Sequence, residues 1–187
     1  MARRKTISDD AVLAIAAQVM FAKGPGEFTL ADVGRAAGVA PATLVQRFGD
    51  KHGLVVAALE QDNAAFAAGL ADLPTGQGAA AVIAVFRVMF PDIGEDVATF
   101  ADQLLWLRQD MRDPDLNRLA RERFRLLREV IAARMPFLPI PAADAARLVE
   151  AQWQGALVQW GIAPQGTLSD FVTQNLADWF RLVGEAP

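Results

Sequence analysis

Cysteine and tyrosine are absent from this 187-residue chain, and histidine occurs only once, at His52. Without cysteine the chain has no disulfide framework and no thiol chemistry. A lone histidine cannot build a histidine metal site within one subunit. We therefore predict no metal site and no cofactor.

Enzyme motifs are also missing from the sequence. It contains no G-x-x-x-x-G-K-[ST] loop, no G-x-S-x-G elbow and no H-E-x-x-H pair, and no G-x-G-x-x-G follows a predicted strand. No pair of carboxylates stands out inside an apolar stretch as an acid–base device. We predict no catalytic residues, while a site assembled from distant residues remains the alternative.

Long apolar runs are lacking as well. The most apolar segment, residues 79–86, stops at Arg87 and is far shorter than the roughly 20 residues that a membrane span needs. The basic amino terminus leads into a capped helix and not into a signal peptide, so we expect a cytoplasmic protein with no membrane partner. Its residues Arg3, Arg4 and Lys5 fit either a DNA-contacting arm or a solvated end.

One segment that is present, TLADVGRAAGVAPATLVQRFGDKHGL at residues 29–54, has the pattern of two short helices joined by a tight turn. Thr29 and Asp32 have the spacing of a capping box at the start of the first helix. Gly38 can adopt the left-handed conformation that ends this helix, and Pro41 suits the first position of the next. The pattern is typical of a helix-turn-helix, whose second helix enters the DNA major groove.

The second of these helices has a surface suited to close approach to DNA. Leu44 and Phe48 lie one turn apart and indicate its inner side. The outward side chains are small and mostly uncharged, so the backbone can come near base edges. For Arg47, a phosphate contact and bidentate pairing with guanine both remain open. The candidate DNA contacts are Thr29, Pro41, Ala42, Thr43, Val45, Gln46, Arg47 and Lys51.

Residues 5–56 resemble the DNA-binding domain of the TetR family of bacterial repressors. The motif consists of the T-x-x-x-V opening, AAGV, the T-L pair, the Phe and the Lys, at fixed spacing. The chain departs from it at Ala40, Val45 and Arg47, where the family commonly has Ser or Thr, Tyr, and His or Tyr. Losing the cap hydroxyl at Ala40 costs about 1 kcal/mol. Apolar and small positions that precede the motif also fit: Ile7, Val12, Leu13, Ala16, Ala17, Phe21 and Gly24.

The resemblance implies a homodimeric repressor that binds a roughly palindromic operator on double-stranded DNA and is released by a small organic effector. In the family, a Lys at the position of Lys51 meets the DNA backbone. Two alternatives remain. One is a regulator of this fold without a small-molecule effector, and the other is a helical ligand-binding or enzymatic protein with an incidental helix-turn-helix.

Charge is divided unevenly along the chain. Residues 1–55 carry seven basic and five acidic side chains, a net charge of +2, and the remaining residues carry eleven and seventeen, a net charge of −6. Positive charge thus lies where phosphates would be met. We predict a helix-turn-helix DNA-binding domain at residues 1–55 and a ligand-binding and dimerisation domain at residues 56–187.

Proline and glycine breaks divide the rest of the chain into further helices. With the three helices of the first domain they predict an all-α fold of about nine helices. The further helices are expected at residues 51–72, 79–90, 95–111, 114–135, 142–161 and 168–184.

Large apolar side chains in the middle helices predict a pocket for an apolar or aromatic effector, with ordinary core packing as the alternative for each. The pocket candidates are Phe66, Phe86, Phe100, Gln103, Trp106, Leu127 and Trp153. Apolar stripes on the last two helices predict a four-helix bundle between two subunits, as in the family, with packing inside one subunit as the alternative. The dimer candidates are Leu148, Gly155, Gln159, Val172, Leu176, Trp179 and Phe180.

Overall fold

The computed structural model describes residues 7–89, 96–136 and 138–184. Within these ranges it contains nine helices and no strand, which confirms the predicted all-α class. The helices are α1 Asp9–Glu27, α2 Leu30–Ala37, α3 Pro41–Phe48, α4 Lys51–Ala71, α5 Ala79–Arg87, α6 Val97–Arg112, α7 Pro114–Ala132, α8 Ala142–Ile162 and α9 Leu168–Leu182. None of the described helices combines the length and apolar character that crossing a membrane requires.

Three predicted features fall outside the described residues. They are the basic residues Arg3, Arg4 and Lys5, the predicted end of the fifth helix at residue 90 and the predicted start of the sixth at residue 95. Helix α5 ends at Arg87, and the described residues Val88 and Met89 are not helical. Elsewhere the helix ends lie within three residues of the predicted ones.

Short polar side chains fix the starts of several helices. Asp50 accepts a hydrogen bond from the backbone N–H of Gly53 at 2.8 Å, which caps α4. Asp113 accepts one from the N–H of Leu116 at 3.1 Å and caps α7, where Pro114 takes the first position. Both helices begin at the predicted residues, 51 and 114.

The chain folds as two compact units. The first comprises residues 1–66 and 102–120, and the second comprises residues 67–101 and 121–187. Helices α4, α6 and α7 each contribute residues to both units.

The core of the first unit joins the helix-turn-helix to a segment distant in sequence. Trp106 of α6 lies in this core, with its ring centroid 5.7 Å from that of Phe21 and 6.3 Å from that of Phe28. Leu116 of α7 lies in the same cluster. Its fully buried members from the first four helices are Val12, Ala16, Met20, Val33, Leu44 and Leu54.

The second unit is built around aromatic pairs. Phe86 of α5 stacks on Trp153 of α8 with ring centroids 5.3 Å apart, and Phe100 meets Trp160 edge to face at 6.3 Å. Helix α9 packs against both α8 and α5. Its inner face is completely buried in the protomer and consists of Leu168, Val172, Leu176 and Phe180.

Candidate nucleic-acid interface

The first helix of the helix-turn-helix begins with the predicted capping box. The hydroxyl of Thr29 accepts a hydrogen bond from the N–H of Asp32 at 3.2 Å, and the carboxylate of Asp32 accepts one from the N–H of Thr29 at 2.9 Å. Gly38 ends α2 with φ of 68°, the left-handed conformation expected there. Helix α2 is therefore fixed at both ends by its local sequence.

Asp32 also forms ion pairs with two basic side chains. Its Oδ1 lies 2.8 Å from the ammonium of Lys23 and 3.2 Å from the guanidinium of Arg35. Hydrogen bonds from Lys23 and Thr29 hold the pKa of Asp32 well below its usual range. The carboxylate stays ionised and keeps both cations beside α2.

Helix α3 presents the expected small and polar face. Pro41, Ala42, Val45 and Gln46 are exposed, Thr43 is half-buried, and Leu44 is completely buried. Ala40 supplies no side-chain cap, as its missing hydroxyl predicts. A helix anchored by one buried leucine thus exposes short side chains that allow close approach to a groove.

The structure gives Arg47 an internal partner. Its Nη1 donates a hydrogen bond to the carbonyl oxygen of Ile7 at 3.1 Å and lies 3.2 Å from a carboxylate oxygen of Asp9. Only 18% of the side chain is exposed. No sequence rule points to this pairing, because the partners are about forty positions apart in the chain.

Lys51, the first residue of α4, has internal contacts too. Its ammonium donates a hydrogen bond to the carbonyl oxygen of Pro25 at 3.3 Å and lies 4.0 Å from the ring centroid of Phe28. Pro25 follows the kink at Gly24, whose φ of 77° suits a residue without a side chain. Lys23, Arg35, Arg47 and Lys51, the basic side chains described between residues 7 and 55, are thus all engaged within the unit.

The single histidine lies beside the helix-turn-helix, at the second position of α4. Its Nε2 is 3.1 Å from Asp115, and its Nδ1 is 3.5 Å from Asp113. The three side chains bring potential metal ligands within 4.8 Å of one another. The two carboxylates, however, face different ring nitrogens, and an imidazole can donate from both nitrogens only when it is protonated.

We expect His52 to make the stability of this unit depend on pH. The hydrogen bond with Asp115 raises the pKa of His52, the charges of Asp113 and Asp50 add to this effect, and burial opposes it. Because the pKa of His52 is higher in the folded state than in the unfolded state, its protonated imidazole stabilises the unit. This stabilisation is fully present below the pKa of the unfolded state and is lost as the pH rises through the pKa of the folded state.

The measurement is an NMR titration of the imidazole, which needs no assignment because the chain has one histidine. Asp115→Asn should lower the pKa of His52. In urea unfolding, the difference in free energy of unfolding between wild type and His52→Gln should shrink as the pH rises. A pKa below that of free histidine would contradict the expected stabilisation.

The predicted pocket residues divide between the two units. Phe66, Gln103 and Trp106 belong to the first, while Phe86, Phe100, Leu127 and Trp153 belong to the second. Among them, Phe86 and Trp153 stack on one another. The indole Nε1 of Trp153 is buried and has no hydrogen-bond partner in the described part of the chain.

Sequence reasoning missed a buried charge near this aromatic pair. Glu150, one turn before Trp153 on α8, is only 6% exposed, and its carboxylate lies 3.2 Å from the guanidinium of Arg128. Burial raises the pKa of Glu150, while Arg128 works in the opposite direction. Its spacing of four residues from Ala146 and three from Trp153, which are also buried, was the available signal that it lies on the inner face.

The predicted dimer residues are placed in two different settings. On α8, Leu148, Gly155 and Gln159 are exposed in the protomer. On α9, Val172, Leu176 and Phe180 are completely buried, and Trp179 is half-buried with its ring edge to face with Phe180.

This geometry defines an all-helical protein with a helix-turn-helix unit of the kind that enters a DNA groove. Residues 12–58 match the family described as bacterial regulatory proteins, tetR family. The match covers both helices of the motif, most of α1 and the start of α4, so this part of the chain is similar to the tetR family. Among curated proteins, none matches the chain in sequence.

Solved structures share the fold over nearly the whole chain. A transcriptional regulator from Rhodococcus sp. Rha1 is 18% identical with a TM-score of 0.74, covering 96% of this chain and 100% of its own. Escherichia coli NemR in its reduced form is 17% identical with a TM-score of 0.73, covering 94% and 97%. A protein from Saccharomonospora viridis, described as a transcriptional regulator in complex with choline, is 18% identical with a TM-score of 0.76, covering 94% and 96%.

Proposed function

We propose that this protein is a cytoplasmic transcriptional repressor that binds a palindromic operator as a homodimer and is released by a small organic effector. The observation that carries the proposal is the exposed face of α3, which is held on the core by the buried Leu44. The match of residues 12–58 to the tetR family supports the DNA-binding role.

The proposed base-reading surface consists of the short side chains of α3. Thr43 and Gln46 carry the hydrogen-bonding groups, and Pro41, Ala42 and Val45 supply close apolar contact. Thr29 is mainly a helix cap, and its exposed position makes a phosphate contact its secondary role.

We propose Lys51 as the phosphate contact of the unit. An ammonium has three N–H donors, and Pro25 takes one of them through a hydrogen bond of 3.3 Å. Its other donors can meet a DNA phosphate. The half-buried aliphatic stem keeps the group at the start of α4, next to the recognition helix α3.

Lys51→Ala is expected to lower affinity for all DNA sequences alike, because a phosphate contact carries no base information. The slope of log affinity against log salt concentration should fall by about one unit. Filter binding at several salt concentrations measures the slope, and Lys51→Arg, which retains the charge, serves as the control. An unaltered slope in Lys51→Ala would remove this residue from the interface.

The exposed face of α8 supports the homodimer. It carries an apolar stripe at heptad spacing, in which Val158 is 44% exposed and Ile162 is 81% exposed. The small Gly155 lies between Leu148 and Val158. Such a stripe is suited to a second helix, and a two-fold axis would bring the same face of the partner against it. The stripe consists of Leu148, Ala151, Gly155, Val158 and Ile162.

The stacked Phe86–Trp153 pair supports an effector site in the second unit. Aromatic faces bind planar or cationic organic molecules, and the buried indole N–H of Trp153 offers a donor to a ligand acceptor. The choline in the Saccharomonospora viridis regulator makes a quaternary ammonium compound one class to test.

A gel shift with the DNA upstream of the protein's own gene tests the proposal. A specific complex at moderate salt is expected, and its absence would contradict the operator-binding role. Choline, planar aromatic compounds and the substrates of neighbouring genes are then added to the complex. A compound that weakens it is the expected effector, because effector and DNA oppose one another reciprocally. Specific DNA binding distinguishes the proposal from a helical enzyme or carrier, and insensitivity of the complex to all compounds favours a regulator without an effector.

A further inference from the structure

The guanidinium of Arg47 connects the carboxyl end of α3 to the amino end of α1. Arg47 is the penultimate residue of α3, and its two partners, Ile7 and Asp9, flank Ser8, the cap of α1. A guanidinium with 18% of its side chain exposed has little surface left for a phosphate or a base edge.

We propose that Arg47 is a positioning residue of the DNA-binding unit, which fixes the recognition helix α3 to α1 and does not itself contact DNA. The inference rests on the DNA-binding function proposed above. The exposed residues of α3 then determine the DNA sequence preference, and Arg47 determines the orientation of α3.

The small size of α3 explains why such an attachment matters. The helix has eight residues and one completely buried side chain, Leu44. Arg47 lies three residues further on, so it extends the inner side of the helix by almost one turn. A hydrogen bond from a charged donor is directional, and it therefore restricts the tilt of α3 more than an apolar contact alone.

The partner Asp9 is suited to the attachment. It occupies the first turn of α1, where the helix dipole favours a negative charge. The carbonyl of Ile7 precedes the helix and accepts the second interaction of the same Nη1. A backbone acceptor and a carboxylate together set the direction of the guanidinium.

The test compares Arg47→Ala with Lys51→Ala in the full chain. The probe is the tightest duplex that wild-type protein recovers from a randomised DNA library, together with its single base-pair variants. Arg47→Ala should weaken all duplexes by the same factor, about tenfold, which corresponds to about 1.4 kcal/mol. Its salt slope should equal that of wild type, whereas Lys51→Ala should lose about one unit.

Two results would overturn the proposal. A salt slope reduced by about one unit in Arg47→Ala would make Arg47 a phosphate contact. A relaxed preference at one base pair would make it a base contact. Gln46→Ala, a change at an exposed neighbour on α3, is the control for the second result, since it is expected to alter preference without altering stability.

A double-mutant cycle supplies a readout that does not depend on DNA. Urea unfolding compares Arg47→Ala, Asp9→Ala and the double variant. The losses in free energy of unfolding should be non-additive, because both single changes remove the same ion pair. Additive losses would overturn the positioning role. If wild-type protein enriches no duplex, the proposed function fails, and the unfolding cycle alone decides the role of Arg47.

Discussion

Trp106→Ala is expected to lower the free energy of unfolding of the first unit by about 3–5 kcal/mol. The side chain is 6% exposed and its ring contacts both Phe21 and Phe28, so alanine leaves a cavity beside the helix-turn-helix. DNA affinity should fall together with stability, because α1 helps to support α3. Urea unfolding, monitored by circular dichroism, measures the change in stability, and filter binding measures the change in DNA affinity.

Two further variants serve as controls, one at Trp106 itself and one at the adjacent Leu105 of α6. Trp106→Phe should cost much less, because the indole Nε1 has no hydrogen-bond partner in the described residues and phenylalanine retains most of the apolar surface. Leu105→Ala changes the adjacent, half-exposed side chain and should stay within about 0.5 kcal/mol of wild type. Unchanged stability with altered effector binding would instead make Trp106 a pocket residue.

Val158→Glu is expected to convert the proposed homodimer into a folded monomer and to reduce operator affinity by at least about a hundredfold. In a two-fold interface each substitution faces the partner's own stripe, so two unpaired carboxylates would be buried at a cost of several kcal/mol. A monomer also contacts only one half-site of a palindrome. Light scattering after gel filtration measures the mass.

The design separates assembly from folding. Val158 is 44% exposed in the protomer, so the helical content of the variant should equal that of wild type. Ala80→Glu adds the same charge at an exposed position of α5 and should leave both mass and affinity unchanged. A dimeric Val158→Glu with wild-type affinity would show that the α8 stripe does not join the subunits.

The features that local sequence could predict are those whose partners lie a few residues apart. Thr29 and Asp32 form their capping box, and Asp50 and Asp113 cap the helices that follow them. Gly38 adopts the left-handed conformation that its position demands. These hydrogen bonds each span three positions, so spacing alone specifies them.

Contacts between distant segments could not be predicted in this way. Periodicity shows that α9 has one apolar face, but it does not show that Val172 and Phe180 pack inside the protomer. Likewise, Trp106 was recognisable as a large apolar side chain without an indication of which core would receive it. The ion pair of Arg47 with Asp9 depends on how α3 lies on α1, and no local pattern encodes that arrangement.

The composition of the first unit has a consequence for exchanging DNA-binding heads between regulators. Residues 102–120 belong to it together with residues 1–66, and they bring Trp106 to the aromatic rings of α1 and the segment after it. A chimaera that transplants only residues 1–66 would pair Phe21 and Phe28 with a foreign helix. A working head swap therefore has to carry two separate stretches of the gene, because residues 102–120 belong to the same unit as the recognition helix although they are far from it in sequence.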